Sequence, residues 1–199
     1  MNKTGLILAS ASPRRLELLQ QLGIEPLVIV TDLDETQLAA EHWQDFVSRI
    51  ALEKARAGFA LSPGKLPVLG ADTSVIVDDR VLGKPDCTES AIHMLHLISG
   101  RCHQVATAIA LVLPDGTSLQ AINISRVCFS VVPDDFIHSY ANSAEPMDKA
   151  GAYAVQGQPA AFIERLEGSY SGVMGLPLHE TAALLRQAGI AWYDASESE

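Results

Sequence analysis

Apolar and polar positions along the chain follow two alternating periods, one of strands and one of helices. Leu6 to Ala9 is a short unbroken apolar run that reads as a buried strand. The polar step Ser10-Ala11-Ser12 follows, and from Pro13 onward Leu16, Leu19 and Leu22 recur on one helical face. Ser12 suits the N-cap, and Pro13 suits the first helical position, where the N–H would be unpaired in any case. Gly23 ends this helix. A β-branched strand over 26–30 leads into the acidic stretch Thr31-Asp32-Leu33-Asp34-Glu35-Thr36. A second helix is predicted over about 42–60, with Trp43, Val47, Ile50, Ala51 and Gly58 on one face and Asp45, Arg49 and Arg56 opposite. Lys54 falls in the middle of the apolar stripe.

The run over 67–77 reads as a strand broken by a polar step at Asp72 and Thr73 and closed by an Asp78-Asp79 turn. Asp86-Cys87-Thr88-Glu89 resembles a capping box for a helix running to Gly100. Two long strands, 105–113 and 118–132, flank Pro114-Asp115-Gly116 and read as an antiparallel hairpin. The apolar alternation Ile122, Ile124, Val127, Phe129, Val131 changes phase near Ser125-Arg126, which reads as a bulge. A short helix over 133–142, a small-residue loop over 145–157, a strand over 160–166 and a loop over 168–172 come next. The last helix carries Leu178, Ala182 and Leu185 inward and stops at Gly189. His179 in that helix reads as a surface residue.

A chain of 199 residues can bury a sizeable core in one domain, here taken as 1–193, with 194–199 a disordered tail. The net charge of −10 narrows the partners. Such a surface repels nucleic acid and anionic membranes at long range, so a polyanionic ligand must meet local basic groups. That favours a small phosphorylated ligand over a nucleic-acid strand. Cys87, Cys102 and Cys128 lack CxxC spacing and are odd in number, which fits a reducing cytosol. No signal peptide is evident, and no apolar stretch is long enough for a bilayer, so the expected location is cytoplasmic.

Within this pattern a few polar residues stand where packing alone does not want them. Lys54 either snorkels to the surface or points into a cleft towards an anion, and its central place in the stripe favours the cleft. Asp72 interrupts a buried run, where an uncompensated carboxylate would be costly. It is either paired with a structural arginine or is a catalytic or metal-binding acid. The turn Ser10 to Arg15 puts hydroxyls, helix N–H groups and two guanidinium forks together, which suits either a phosphate or a plain capped helix with surface arginines. Neither GxxxxGK[ST] nor GxGxxG occurs, which disfavours P-loop and Rossmann nucleotide sites. The cations Arg14, Arg15, Lys54, Lys84 and Lys149 and the carboxylates Glu35, Asp72 and Asp148 lie near strand ends or loops. Together they suit a triphosphate with a magnesium ion on one or two carboxylates and several waters.

The segments Leu8-Ala9-Ser10-Ala11-Ser12-Pro13-Arg14-Arg15, Glu53-Lys54-Ala55, Gly70-Ala71-Asp72-Thr73, Gly83-Lys84-Pro85, Asp148-Lys149-Ala150-Gly151-Ala152-Tyr153, Gln156-Gly157 and Gly175-Leu176-Pro177, with Glu35, resemble the Maf-like nucleoside triphosphate pyrophosphatases. The match runs in order from residue 6 to about 188. The resemblance implies an α/β fold with an elongated mixed β-sheet flanked by helices. It also implies two lobes around a deep nucleotide cleft, similar to the inosine triphosphate pyrophosphatases. The implied reaction cleaves a nucleoside triphosphate between its α and β phosphates, giving monophosphate and pyrophosphate, with Mg²⁺, Mn²⁺ or Co²⁺. In the family, substrate choice tracks the positions of Arg14, Thr73 and Gln156, and at all three this chain resembles the dTTP- and UTP-cleaving branch. The branch acting on 7-methyl-GTP has Trp, Gln and Glu there. The same resemblance implies Asp72 either as proton acceptor or chiefly as a metal ligand, and Glu35 as a metal ligand. Arg14, Arg15, Lys54, Lys84 and Ser10 would hold phosphate, and Asp148 and Lys149 would form the cleft wall. It also implies a homodimer. A 7-methyl-GTP or broader house-cleaning pyrophosphatase and a non-catalytic nucleotide-binding regulator of septum formation stand as alternatives.

Overall fold

The computed structural model describes residues 5–62 and 66–193. The expected tail, 194–199, lies outside the described residues. The elements in order are β1 (Ile7–Ala9), α1 (Pro13–Gln21), β2 (Leu27–Ile29), α2 (Trp43–Leu61), β3 (Val68–Val77), β4 (Arg80–Leu82), α3 (Thr88–Ile98), β5 (Cys102–Val112), β6 (Ser118–Phe129), α4 (Asp134–Ala141), β7 (Ile163–Glu167), α5 (Tyr170–Met174) and α6 (Leu178–Gln187). Short 3-10 turns fill the stretch between α4 and β7. The strands form a mixed sheet in the order β2-β1-β3-β5-β6-β7, with β4 paired to the end of β3. β1 runs parallel to both β2 and β3, whereas the β3–β4 and β6–β7 pairs are antiparallel. This is the α/β architecture with a mixed sheet and flanking helices that the sequence resemblance implies. Among the described residues no helix is long and apolar enough to cross a membrane.

The chain divides into two compact units. One comprises Met1–Asp72, Thr107–Asn123 and Gly175–Glu199, and the other Thr73–Ala106 and Ile124–Met174. In the first unit the buried run Ile7, Leu8 and Ala9 pairs with Leu27–Ile29 on one side and Val68–Gly70 on the other. A strand sandwiched this way has no polar edge to satisfy, so every position can be apolar. Helix α2 lays Trp43, Val47, Ile50, Ala51 and Gly58 inward, as its periodicity predicts, and Phe46 and Ala55 with them. Gly70 lets its backbone come close: a Cβ there would lie 2.5 Å from the Ala51 carbonyl oxygen and 2.6 Å from the Ala55 nitrogen.

In the second unit Val75, Val77, Leu95, Ile98, Val105, Val127, Phe129, Ile137 and Tyr153 share one core. Two sequence expectations need correction here. The strand over 67–77 is continuous through Asp72 and Thr73 as β3, and its Asp78-Asp79 turn takes positive φ at both residues, the geometry of a tight hairpin. Two of the three cysteines are not free thiols, because Cys102 and Cys128 form a disulfide with Cα atoms 3.9 Å apart. They sit on the neighbouring strands β5 and β6, 26 residues apart, so no short spacing betrays them. Cys87 is free and exposed.

Near Ser125-Arg126, where a bulge is predicted, β6 runs on as one strand. β6 keeps a strict two-residue period, with Ser125, Val127 and Phe129 buried, while Ile122 and Ile124 lie on the exposed face. The apolar pattern shifts phase, but the alternation of burial carries on. Against β7 a register irregularity sits at Cys128/Phe129, and that strand starts at Ile163 because 158–162 is wound as a 3-10 turn.

His103 is buried in this core, its Nε2 2.8 Å from the Tyr153 hydroxyl and its ring tilted against Phe129. Burial, helped by the positive charge of Arg101, pushes the imidazole down to about 4. The unfolded chain, with a histidine near the ordinary ~6.5, takes up a proton first as pH falls. The stability contributed by neutral His103 is therefore complete above about pH 6.5 and is lost as pH approaches 4. Melting temperatures measured across that window should fall more steeply for the native chain than for His103→Gln. Equal slopes would refute the assignment.

Candidate active site

The turn between β1 and α1 is closed by Ser10, whose Oγ accepts from the Ser12 N–H at 3.1 Å. Ser12 occupies the N-cap position as predicted, and Pro13 opens the helix, but the Ser12 side chain makes no capping bond. The hydroxyl that organises the turn is thus the one two residues earlier, in the pattern of a serine turn. Arg15, at the third helical position, reaches back over it. Its Nη1 donates to Ser10 Oγ at 3.3 Å and its Nε to the Gly175 carbonyl at 2.9 Å. Burial lowers the pKa of this guanidinium, while the negative charges of Asp72 and Glu35 oppose the shift. The arginine and the two carboxylates therefore share one electrostatic environment.

Those two carboxylates meet on Lys54. Its Nζ lies 2.8 Å from Asp72 Oδ1 and 2.9 Å from Glu35 Oε2. The Lys54 and Asp72 side chains are 11% and 9% exposed, whereas Glu35 is 47% exposed, so the trio opens to solvent on the Glu35 side. Each comes from a different element: α2, β3 and the segment between β2 and α2. Lys54 thus does not snorkel to the surface. The close backbone approach at Gly70 brings it to Asp72, and the ammonium compensates the charge of a carboxylate that β3 holds in an otherwise apolar run. Arg14 is half-buried beside Arg15 in α1.

The remaining candidates belong to the second unit. Thr73 is half-buried, and Lys84, Asp148 and Gln156 are exposed. Lys149 bonds to the Asp148 carboxylate and donates to the Glu145 carbonyl at 3.2 Å. The Gly151 N–H donates to the Gly83 carbonyl at 3.0 Å, tying the loop of Lys84 to the turn that follows Lys149. Gly151 has φ +68 and lies against Val75, and a Cβ on Gly157 would strike the Glu145 carboxylate at 2.3 Å. The small-residue segment is therefore packed from both sides.

Sequence reasoning missed Arg49, which was placed on the solvent face of α2. It carries a dense set of bonds, to Glu41, Glu53 and the Thr36 carbonyl. Its i,i+4 spacing to Glu53 was the only legible signal. The Gly175 carbonyl was also missed, because a main-chain acceptor carries no residue-type signature.

Residues 5–188 match the family described as Maf-like protein. A dTTP/UTP pyrophosphatase of Methylobacillus flagellatus is 50% identical over 192 residues, covering 96% of each chain. A dTTP/UTP pyrophosphatase of Xanthomonas euvesicatoria is 49% identical over 187 residues, covering 92% of this chain and 98% of that protein. Among solved structures, a HAM1 protein from Coxiella burnetii superposes with a TM-score of 0.54 at 17% identity, covering 92% of this chain and 98% of that one. The Staphylococcus aureus Ham1 protein gives 0.51 at 14% identity, covering 92% and 99%. At those identities the likeness speaks for the fold alone. With the family matched from residue 5 to residue 188 and half of the aligned residues shared with a relative aligned over 96% of its length, the chain belongs to the Maf-like protein family.

Proposed function

We propose that this chain is a nucleoside triphosphate pyrophosphatase that hydrolyses dTTP and UTP to the monophosphate and pyrophosphate. The observation that carries the reading is the trio in which Lys54 Nζ stands between Asp72 and Glu35, in the same electrostatic environment as Arg15. The relatives named dTTP/UTP pyrophosphatase, alike over nearly the whole chain, support the substrate. In this reading water attacks the α-phosphorus in line and pyrophosphate leaves. Asp72 accepts the proton of the attacking water. Lys54 and Arg15 offer fixed positive charge to the phosphate oxygens, so little reorganisation is needed as negative charge develops there. Ser10 holds the Arg15 fork in position.

The donor set also fits a divalent cation. Among the described residues no three His, Cys, Asp or Glu side chains gather, so protein ligation would come from Glu35 and Asp72, with water and phosphate oxygens completing the shell. Mg²⁺, Mn²⁺ and Co²⁺ all accept such oxygen ligands. When bound, the ion would neutralise charge on the transferred phosphoryl group.

A pyrophosphate-release assay over dTTP, UTP, CTP and 7-methyl-GTP tests the proposal. The expected result is turnover of dTTP and UTP well above the other two. A preference for 7-methyl-GTP, or no turnover of any, would overturn it. In the same panel Arg15→Ala should lower all substrates together. Arg14→Ala should change the ratio of dTTP to the others, since the family resemblance gives Arg14, Thr73 and Gln156 a part in substrate choice. Equal losses for both variants would remove that division. The resemblance also supports a homodimer, which light scattering tests, and a cytoplasmic site. The Cys102–Cys128 bond bears on the latter because disulfides are rare in a reducing compartment. Thiol trapping in intact cells decides it, with labelling at Cys102 and Cys128 expected in the cytoplasm.

A further inference from the structure

The segment 30–42 contains neither helix nor strand, yet it carries Glu35. Something other than a hydrogen-bond ladder must hold it. The guanidinium of Arg49 is the hub. Its Nε and Nη2 donate to the two carboxylate oxygens of Glu41 at 2.6 and 2.8 Å, a bidentate fork. Nη2 also donates to the Thr36 carbonyl at 3.1 Å, the residue directly after Glu35. Nη1 is held on the Glu53 carboxylate at 3.2 Å, one helical turn along α2, and the Phe46 ring lies 5.7 Å from the guanidinium carbon.

The loop is knit to this hub by its own bonds. Glu41 Oε2 accepts from the Leu38 N–H at 3.0 Å, and the Glu41 carbonyl accepts from Gln37 Nε2 at 2.8 Å. Asp34 Oδ1 accepts from the Thr36 N–H at 3.0 Å. Both partners of Glu35 in sequence, Asp34 and Thr36, are therefore pinned, and the Glu35 side chain is delivered to Lys54, five residues beyond Arg49 on the same helix. The fork also holds the Glu41 carboxyl down at about 2, so the clamp stays charged through the neutral range. Only an arginine can donate to Glu41, Glu53 and a carbonyl at once from one planar group.

We propose that Arg49 is a positioning residue of the active site, acting on the reaction solely through the placement of Glu35. The proposal rests on the reading that Glu35 serves the pyrophosphatase reaction. An ion pair kept only for stability would cost the same whichever residue stands at position 35, whereas a positioning residue has nothing left to position once Glu35 is gone.

A double-mutant cycle separates the two, using kcat and KM for dTTP with Arg49→Ala, Glu35→Gln and the combination. The expected result is a loss in kcat of about tenfold or more for Arg49→Ala, with the double variant within about twofold of Glu35→Gln. Free guanidinium added to Arg49→Ala should restore part of the rate but do nothing for Glu35→Gln. Hydrogen exchange at the Leu38 amide, read without substrate, should quicken in Arg49→Ala and not in Glu35→Gln. Should Arg49→Ala fail to fold, Glu41→Gln, which breaks the same fork, takes its place in the cycle. Wild-type kcat in the arginine variant, or losses that multiply in the double variant, would overturn the proposal while leaving the role of Glu35 standing. Full activity in Glu35→Gln would overturn the underlying reading itself.

Discussion

Asp72→Asn should lower kcat for dTTP by about a hundredfold or more, the usual cost of removing a catalytic base. The substitution keeps the shape of the side chain and its place on β3. It removes the negative charge that faces Lys54 at 2.8 Å and the oxygen that would accept the proton of the attacking water. The ammonium would retain Glu35 at 2.9 Å, so the fold should survive and substrate binding should change far less than turnover. Pyrophosphate release under saturating dTTP measures the first effect and KM the second. A kcat within about threefold of the native value would mean that Asp72 is not the base. An Asp72→Ala variant gives a weaker test, because it leaves a buried ammonium short of a partner and mixes folding with chemistry.

Gly70→Ala should be severely destabilising, by about 3 kcal/mol, the upper end of overpacking costs. The added Cβ would sit 2.5 Å from the Ala51 carbonyl oxygen and 2.6 Å from the Ala55 nitrogen. Both are backbone atoms of α2, so no side chain can turn aside to make room. The helix must move away from β3, and Lys54, next to Ala55, must move with it. Activity should therefore fall along with stability. Urea unfolding measures the first and dTTP hydrolysis the second. Gly83→Ala is the control for stability, since a Cβ there meets nothing within 4 Å, and it should stay within about 0.5 kcal/mol of the native chain. A loss below about 1 kcal/mol at Gly70 would show that the helix–strand contact can relax.

The difference between Gly70 and Gly83 illustrates where sequence reasoning stops. Both glycines sit in segments whose residues carry the family resemblance, and nothing in composition or spacing separates them. Only what a Cβ would meet does: backbone of α2 at Gly70, and nothing within 4 Å at Gly83. The same holds for Arg49. On a helical wheel it falls opposite the apolar stripe, as Asp45 and Arg56 do, and those two are indeed exposed. Arg49 differs because an irregular segment folds back over it, and irregular segments have no period from which their path can be read. The disulfide is a third case, joining Cys102 and Cys128 through strand adjacency rather than through spacing in the chain.

Periodicity carried most of the elements. It placed α2 to within one residue at each end, put Trp43, Val47, Ile50 and Ala51 in the core, and ended α1 and α6 ahead of Gly23 and Gly189, both at positive φ. Those are local properties: caps, φ preferences and the alternation of apolar positions act over a few residues and are written where they act. Even the oddity of Lys54 and Asp72, each polar in an apolar setting, was visible on those terms. Tertiary structure alone decided which partners they met. It set Lys54 against Asp72, 18 residues away, and against Glu35 on a loop, and it turned Arg15 back onto Ser10 and a carbonyl 160 residues distant. Charge pairing and backbone acceptance depend on positions in space, and a linear pattern shows which residues need a partner but not which partner they find.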